Sequence, residues 1–170
     1  NDNGVWSGAE SYATGYIDKA AVFNGTSSKI AVTAFTPLTI SMWVNLDTLD
    51  RYDALIGHST NTSNYVYWAD NSEDYKLRLG NLLFNNTGKN TVGVVGGWVN
   101  VVLSDNGSSV TTCYINGVNK GTVAKSIGEI NEIGARTAGA TNQYLDGKLD
   151  QVRMFNRALD SGEALQLYNE

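Results

Sequence analysis

The chain has 170 residues, 42% of them apolar, with 18 glycines, one proline and a formal net charge of −5. This length and apolar content suit one packed domain and exclude a disordered chain. The acidic balance, with lysines and arginines scattered singly, argues against nucleic acid and anionic membrane surfaces as partners. No apolar run is long enough to span a membrane, and no signal-peptide pattern opens the chain, so we expect no membrane insertion.

Alternation of apolar and polar residues predicts six β-strands in chain order. They cover residues 29–32, 38–46, 65–69, 76–80, 98–104 and 110–116. Asn-Gly pairs lie in the segments 104–109 and 115–121, and such a pair between alternating segments is a strong hairpin signal. Strands at this short spacing, with no helix between them, favour an all-β antiparallel sandwich over a parallel α/β sheet.

One short helix is predicted at the carboxyl end of the chain. Asp160 and Glu163 have the spacing of a capping box, and Ala164, Leu165 and Tyr168 then share one side. The sequence contains no repeat, linker or low-complexity tract, so residues 1–170 are predicted to form a single domain. The only cysteine, Cys113, lies in an alternating segment and is interpreted as a small core residue rather than a nucleophile.

The segment GKLDQVRMFN, residues 147–156, reads as a strand with a carboxylate in an unexpected place. Val152 and Met154 share a parity that predicts the core face, and Asp150 has the same parity. A buried carboxylate is costly unless it is paired. A metal ion or backbone N–H groups would each satisfy Asp150, and both alternatives stay open at this point.

The predicted core contains Phe23, Met42 and Trp98 in addition to Val152 and Met154. Trp43 has the opposite parity to its neighbour Met42. One of the two must therefore face outward or into a groove.

Six stretches follow one another in an order that resembles a known family. They are KAAVFNGTSSKIAV (19–32), LTISMWVNLD (38–47), GGWVNVVLSDNG (96–107), CYINGVNKGT (113–122), EIGA (132–135) and YLDGKLDQVRMFNRALDSGEALQLY (144–168). Together they resemble the laminin G-like, concanavalin A-type jelly-roll domains, in particular the accessory domains of surface proteins and polysaccharide-active enzymes. The resemblance implies a two-sheet antiparallel jelly-roll sandwich with one short C-terminal helix.

The resemblance also implies a structural calcium ion on the rim of the sandwich. Its ligands would be the side chain and carbonyl of Asp150 and the carbonyl of Gly25, with Asn24 beside them. Asn24 stands where the family usually has aspartate. Family members usually begin with a further aromatic-rich strand, which this sequence lacks or receives from another segment.

Glycan-cleaving members of the family carry a run of acidic residues, E-x-D-x-x-E, on one strand. This sequence has no such run, and Glu129 and Glu132 have opposite parity. The single His58 has no nearby serine, cysteine or second histidine for a catalytic triad or metal site. We therefore predict that the chain is not an enzyme, and an endoglycanase is the least favoured alternative.

The segment 51–75 concentrates aromatic residues together with Arg51 and several asparagines. Its predicted ligand-binding residues are Tyr52, His58, Tyr65, Tyr67, Trp68 and Tyr75. Aromatic faces stack on sugar rings and amides bond to hydroxyls, which is the chemistry of a sugar site. Tyr65 and Tyr67 share one face and Trp68 takes the other. The alternative is that both sets are ordinary sheet packing.

These observations predict a carbohydrate-binding or adhesion module displayed outside the cell or on a virion surface, as part of a larger protein or assembly. Its partner would be a glycan or a surface protein. The alternative is a structural or decoration module that makes protein–protein contacts in a larger surface or virion assembly. An open sheet edge left by the missing first strand would favour this alternative.

Overall fold

The computed structural model describes residues 4–49, 52–69, 71–88, 93–139 and 142–170, and Arg51 lies outside them. The strands are β1 (Val5–Ser7), β2 (Tyr12–Thr14), β3 (Lys19–Asn24), β4 (Lys29–Phe35), β5 (Thr39–Leu46), β6 (Asp53–Gly57), β7 (Val66–Trp68), β8 (Leu77–Leu79), β9 (Leu82–Leu83), β10 (Val99–Asp105), β11 (Thr111–Ile115), β12 (Val118–Val123), β13 (Ile130–Ile133), β14 (Ala135–Arg136), β15 (Gln143–Tyr144) and β16 (Asp146–Phe155). A 3-10 turn covers Asn71–Glu73, and helix α1 covers Ser161–Tyr168. The predicted all-β class with one short helix is confirmed.

Two seven-stranded sheets form the sandwich. Sheet A has the order β1-β4-β13-β6-β7-β8-β9, and sheet B has the order β12-β11-β10-β5-β16-β3-β2. Neighbours such as β5 and β16 are antiparallel, and they are far apart in sequence. The strands β14 and β15 form a separate two-stranded ribbon. This arrangement confirms the predicted two-sheet antiparallel sandwich.

Strand β5, in the middle of sheet B, shows how alternation builds the core. Ile40, Met42, Val44 and Leu46 are fully buried between the sheets. Trp43 points to the outer face of sheet B, where the Tyr16 ring stacks on it at 3.4 Å between centroids and Tyr168 lies 5.7 Å away. The parity prediction for Met42 and Trp43 is therefore confirmed.

The predicted core residues are confirmed with one exception. Phe23 and Met42 are buried in the central cluster, and Val152 and Met154 pack against it from partly buried positions. Trp98 is only half-buried and lies outside this cluster, so its assignment to the core is wrong. The reason is alternation, because the adjacent Val99 takes the core position at the start of β10.

Both predicted hairpins are present. Asn116 and Gly117 form the two-residue turn between β11 and β12, with φ values of 51° and 74°. Glycine and asparagine tolerate positive φ better than other residues, which is why this pair marks the turn. In the loop between β10 and β11, the Asn106 side-chain oxygen accepts the backbone N–H groups of Ser108 and Val110.

The capping box at the start of α1 is also confirmed. The Asp160 carboxylate accepts the Glu163 N–H at 2.9 Å, and the Glu163 carboxylate accepts the Asp160 N–H at 3.0 Å. The helix lies on the outer face of sheet B, where the buried Ala164 packs with Val102 and Tyr114. Two otherwise orphaned N–H groups are thus satisfied locally, which fixes where the helix begins.

A bulge in β16 changes the interpretation of Asp150. Asp150 pairs with Trp43 and Arg153 pairs with Ser41. Three residues along β16 are therefore matched by only two residues along β5, so β16 contains one extra residue. The extra residue reverses the alternation, and Gln151 has a φ of 47°. Asp150 therefore lies on the outer face beside Trp43, whereas Met154 faces the core. The prediction that Asp150 has core parity is wrong because it assumed an unbroken strand.

The amino-terminal strands lie at the sheet edges. Strand β1 pairs with β4 at the edge of sheet A, and β2 pairs with β3 at the edge of sheet B. The absence of the family's additional aromatic-rich strand stays a prediction. Within the described residues, none of the helical segments has both the length and the apolar character needed to cross a membrane.

Candidate functional site

A layer of three tyrosines lies on the outer face of sheet A. On β7 and just before it, Val66 and Trp68 point into the core while Tyr65 and Tyr67 point outward. The Tyr65 and Tyr67 rings are parallel within 4° and stack at 4.8 Å between centroids. Tyr52 meets Tyr67 edge-on at 5.0 Å. We call Tyr52, Tyr65 and Tyr67 the tyrosine layer.

Two arginines cover this layer. The guanidinium carbon of Arg136 lies 4.3 Å from the centre of the Tyr65 ring, and that of Arg78 lies 5.3 Å from the centre of Tyr67. Burial raises the pKa of Tyr67 well above its ordinary value, and Tyr65 adds to this effect while the charge of Arg78 opposes it. Tyr67 therefore stays protonated at neutral pH, and cation–π contacts hold the Tyr65 and Tyr67 rings in the layer.

The ribbon β14–β15 lies against β6 because Gly57 has no side chain. A Cβ atom at Gly57 would come within 2.3 Å of the Ala135 carbonyl oxygen and 2.8 Å of the Arg136 Cα. Arg136 then donates to the Gln143 side-chain oxygen at 3.0 Å and to the Thr62 carbonyl at 2.9 Å. This close approach holds Gln143 and Tyr144 at the rim of sheet A.

A cavity of about 200 Å³ opens at this rim. We call it the rim pocket, and it is lined by Gly25, Tyr52, Asn142, Gln143 and Tyr144. Because the Gln143 oxygen accepts from Arg136, its NH₂ group remains as a hydrogen-bond donor. The pocket therefore combines two aromatic rings with two side-chain amides, and Tyr52 rests on the buried Tyr67.

The structure places the predicted ligand-binding residues in different environments. Tyr52 lines the rim pocket, and Tyr65 and Tyr67 support it from below. Trp68 is only 1% exposed and packs in the core, where its indole N–H donates to the Tyr75 carbonyl at 2.7 Å. Trp68 and Tyr75 are thus not brought to the pocket, because β7 turns the Trp68 side chain to the opposite face.

His58 is not brought to the pocket either. Tyr52 precedes β6 and His58 follows it, so the strand separates them by about 20 Å. The His58 Nδ1 atom accepts the backbone N–H groups of Thr60 and Asn61, and Nε2 lies 3.0 Å from a Glu129 oxygen. Both ring nitrogens therefore stabilise the loop after β6, which is a structural role.

The three predicted calcium ligands are not brought together. Asn24 pairs with Asp146 across β3 and β16, so Asp150 lies four residues, or about 13 Å, farther along β16. A calcium ion binds oxygens at about 2.3–2.6 Å and cannot bridge this distance. Gly25 instead lines the rim pocket.

The individual donor groups do not fit a calcium ion either. The two Asp150 oxygens accept the backbone N–H groups of Ile17 at 2.8 Å and Gln151 at 2.7 Å. The Asn24 side-chain oxygen accepts three successive N–H groups of the turn at residues 26–28. No group of three or more His, Cys, Asp or Glu side chains suited to a metal occurs among the described residues. Backbone donors, the second alternative for Asp150, account for its carboxylate.

Sequence reasoning missed Asn142, Gln143, Tyr144 and Arg136. Their only sequence signal is position, because they lie in or next to the polar segment that separates the EIGA stretch from the last strand. Aromatic density pointed to residues 51–75, whose described members supply one side chain, that of Tyr52, to the pocket. The other pocket side chains come from a ribbon about ninety residues later, which local composition does not reveal.

A family model agrees with this fold and matches residues 26–164; it is described as the concanavalin A-like lectin/glucanases superfamily. The chain belongs to this superfamily. The match covers well over half of the chain, from the turn after β3 to helix α1. The predicted recognition as a concanavalin A-like domain is thereby confirmed.

Solved structures share the fold at low sequence identity. Domain 4 of AbnA, a GH43 extracellular arabinanase from Geobacillus stearothermophilus in complex with arabinotriose, has a TM-score of 0.71 and 19% identity, and the match covers 95% of this chain and 82% of that domain. The binding domain of Paraclostridial Mosquitocidal Protein 1 has a TM-score of 0.66 and 18% identity, with 99% and 47% covered. The binding domain of botulinum neurotoxin DC in complex with SialylT has a TM-score of 0.61 and 15% identity, with 99% and 46% covered.

The chain thus spans about half the length of the toxin binding domains that it resembles. At these identities the likeness establishes the fold. No curated protein matches the sequence.

Proposed function

We propose that this domain is a non-catalytic carbohydrate-binding module and that it holds a sugar in the rim pocket. The observation that carries the proposal is the convergence of Tyr52, Tyr144, Asn142 and Gln143 on one cavity of about 200 Å³. Tyrosine rings stack on the apolar face of a sugar, and amides bond to its hydroxyl groups. The chemistry of the lining is therefore that of a sugar site.

The size of the pocket suits one sugar ring. Pockets for drug-sized ligands range from roughly 300 to 1,000 Å³, so a cavity of about 200 Å³ suits a smaller group. Further sugar units would extend outside the pocket over Asn142, which is exposed. A terminal residue of an oligosaccharide is thus the favoured ligand.

The structural neighbours support a glycan ligand and display outside the cell. One is a domain of an extracellular arabinanase in complex with arabinotriose, and another is a toxin binding domain in complex with SialylT. We also propose that the domain is secreted or displayed on a surface, including that of a virion, and that it has an adhesive role. It would act there as part of a larger protein or assembly.

The environment of the acidic residues supports a non-catalytic role. Glycosidases use two carboxyl groups that face each other across the substrate. Here Glu132 is buried with Lys29, Glu73 pairs with Arg78, and Glu129 pairs with His58. Each of these carboxylates has a structural partner away from the rim pocket.

A glycan array followed by calorimetry with arabinotriose tests the proposal. We expect binding that Tyr144→Ala weakens by about 1–3 kcal/mol, the usual range for the loss of one aromatic anchor. Tyr12→Ala is the matched control, because Tyr12 is an exposed tyrosine on β2 at the edge of the other sheet. Absence of binding to every glycan, or equal effects of both variants, would contradict the proposal.

A second candidate is a structural or decoration module that binds protein. It is favoured by two exposed apolar side chains, Val118 at the open edge strand β12 and Leu165 on α1 beside Gly117. An open edge with apolar neighbours is suited to strand addition. A negative glycan array together with self-association that Val118→Asp abolishes in sedimentation experiments would favour this second function.

A further inference from the structure

His58 holds the loop after β6 through a nitrogen that carries no proton. Its Nδ1 atom accepts the backbone N–H groups of Thr60 at 3.1 Å and Asn61 at 3.0 Å, and the Thr60 hydroxyl lies 3.4 Å from it. A backbone N–H can only donate, so the ring proton is on Nε2, which lies 3.0 Å from a Glu129 oxygen. A second proton on this ring would displace both backbone groups from Nδ1.

Elsewhere in the chain an asparagine holds the same kind of turn. The Asn24 side-chain oxygen accepts the N–H groups of residues 26–28, and the Asn106 oxygen accepts two N–H groups in the loop after β10. An amide oxygen does not titrate, whereas an imidazole gains a proton between about pH 7 and pH 5. His58 is the only histidine in the sequence. Of these three turns, the one after β6 therefore has the acceptor that responds to mild acid.

The same loop anchors the arginine that holds Gln143. The Arg136 guanidinium donates to the Thr62 carbonyl at 2.9 Å and to the Gln143 side-chain oxygen at 3.0 Å, and it lies 4.3 Å from the centre of the Tyr65 ring. Thr62 directly follows the two residues that are bonded to Nδ1. Their release would move the Thr62 carbonyl and weaken the hold of Arg136 on Gln143 at the rim pocket.

The ends of the loop have other attachments. The Ser59 N–H donates to the Asn131 side-chain oxygen at 2.8 Å, and the Asn64 side chain donates to the Glu129 carbonyl at 3.0 Å. Neither asparagine titrates, so these bonds persist in mild acid. Residues 60–63 between them are exposed. Loss of the Nδ1 acceptor therefore opens a short surface segment and leaves β6 in place.

The charged groups around His58 do not offset the loss of these two bonds. Among the described residues, Glu129 is the carboxylate bonded to the ring, and its side chain is 52% exposed, so its added attraction for a charged imidazole is small. Glu132, on the neighbouring strand β13, is paired with Lys29. The positive charge of Arg136 on the far side of the loop opposes a second cation. Acid therefore favours the open loop.

We propose that His58 makes the rim pocket sensitive to pH. Between about pH 7 and pH 5, protonation of His58 releases Thr60 and Asn61, the Thr62 carbonyl moves away from Arg136, and the ribbon β14–β15 loosens. The affinity of the rim pocket for a glycan then falls. This last step rests on the proposed function, whereas the movement of the loop and the ribbon can be measured without a ligand.

Nuclear magnetic resonance of the ligand-free ¹⁵N-labelled domain, titrated from about pH 7.5 to pH 5, tests the switch. We expect the protection of the Thr60 and Asn61 amides against hydrogen exchange to fall, and the Gln143 side-chain NH₂ resonances to shift with the same midpoint. His58→Asn is the matched control, because it keeps an acceptor that cannot gain a proton, and it should remove both changes. His58→Ala has no acceptor and should show the open loop at every pH.

Calorimetry with arabinotriose measures the effect on binding. We expect the affinity of the wild type to be about fivefold lower at pH 5.5 than at pH 7.5, the loss expected for one hydrogen bond. His58→Asn should keep its affinity within about twofold over this range, and His58→Ala should bind weakly at both pH values.

The proposal is overturned if the protection of Thr60 and Asn61 does not fall in the wild type, or if His58→Asn shows the same changes. It is also overturned if the loop opens while the Gln143 resonances or the arabinotriose affinity stay constant. Absence of arabinotriose binding at neutral pH would count against the proposed function instead. The ligand-free resonances would then still decide whether His58 controls the loop and the ribbon.

Discussion

The Asp150 carboxylate accepts the backbone N–H of Ile17 at 2.8 Å, although 133 positions separate the two residues in the sequence. This bond ties the turn between β2 and β3 to the outer face of sheet B. Gly15 makes this approach possible, since a Cβ atom at residue 15 would lie only 2.5 Å from Asp150 Oδ2, the oxygen that accepts the bond. Tyr16, in the same turn, stacks on Trp43. Asp150 is therefore a positioning residue for the aromatic stack.

Replacing Asp150 should destabilise the fold. Asp150→Ala leaves the N–H groups of Ile17 and Gln151 without their acceptor, and each unpaired group costs about 1–3 kcal/mol. Chemical denaturation measures the loss. Asp47→Ala is the control, because Asp47 is exposed and its pair with Lys148 should contribute at most about 1 kcal/mol. Equal effects of the two variants would contradict the role of Asp150.

Asp150 also provides a test of the predicted calcium site. Since each Asp150 oxygen already accepts a backbone N–H and the predicted partner Asn24 lies about 13 Å away, we expect the melting temperature to be the same in EDTA and in millimolar calcium. A bound calcium ion would instead stabilise the fold by about 2.7 kcal/mol at a hundredfold excess over its Kd. A calcium-dependent rise that Asp150→Asn abolishes would restore the calcium site.

Glu132 should make the stability of the domain depend on pH. It is 1% exposed, and although burial acts to raise its pKa, hydrogen bonds from Lys29 and Thr137 outweigh this and hold the pKa below the ordinary 4.5. The stabilisation is therefore complete above about 4.5 and is lost as the pH falls through the folded-state pKa. We expect Glu132→Gln to cost about 1.5–3 kcal/mol at pH 7, and the difference from wild type to shrink as the pH falls below 4.5. A difference that stays constant with pH would contradict this.

We expect Gly57 to determine the position of the ribbon β14–β15 at the rim pocket. A side chain at residue 57 collides with the backbone of Ala135 and Arg136, so Gly57→Ala should displace the ribbon that carries Gln143 and Tyr144. We expect reduced stability and at least tenfold weaker glycan binding in calorimetry, equivalent to about 1.4 kcal/mol. Gly93→Ala is the matched control, because none of the described residues comes within 4 Å of a Cβ atom there. Unchanged binding in Gly57→Ala would mean that the ribbon does not form the site.

We expect Tyr67 to affect glycan binding indirectly, by supporting the Tyr52 ring. Tyr67→Ala removes a buried ring and should cost about 3 kcal/mol of stability, together with the edge-on support of Tyr52. Tyr67→Phe retains the ring and should keep glycan affinity within about twofold of wild type. Calorimetry at a temperature where all variants are folded separates the two effects. Weak binding by Tyr67→Phe would instead assign a direct role to the hydroxyl group.

Several features were determined by the sequence alone. The Asn116–Gly117 turn, the Asp160–Glu163 capping box and the inward and outward positions of Met42 and Trp43 all agree with prediction. They depend on residues within about four positions of one another, so backbone geometry and alternation suffice to specify them. The all-β class follows from the sum of such local signals.

Tertiary structure decided the site. The bulge after Asp150 reversed the parity of the last strand, and it is defined by the pairing of β16 with the distant strand β5 on both sides of Gln151. The rim pocket joins Gly25, Tyr52 and Gln143, which come from three distant parts of the chain. They are brought together by the close approach of the ribbon β14–β15 to Gly57 and by pairing between strands that are distant in sequence. Both are long-range packing contacts. Composition can mark residues 51–75 as aromatic, but only packing decides which of their rings face the core and which ring lines the rim pocket.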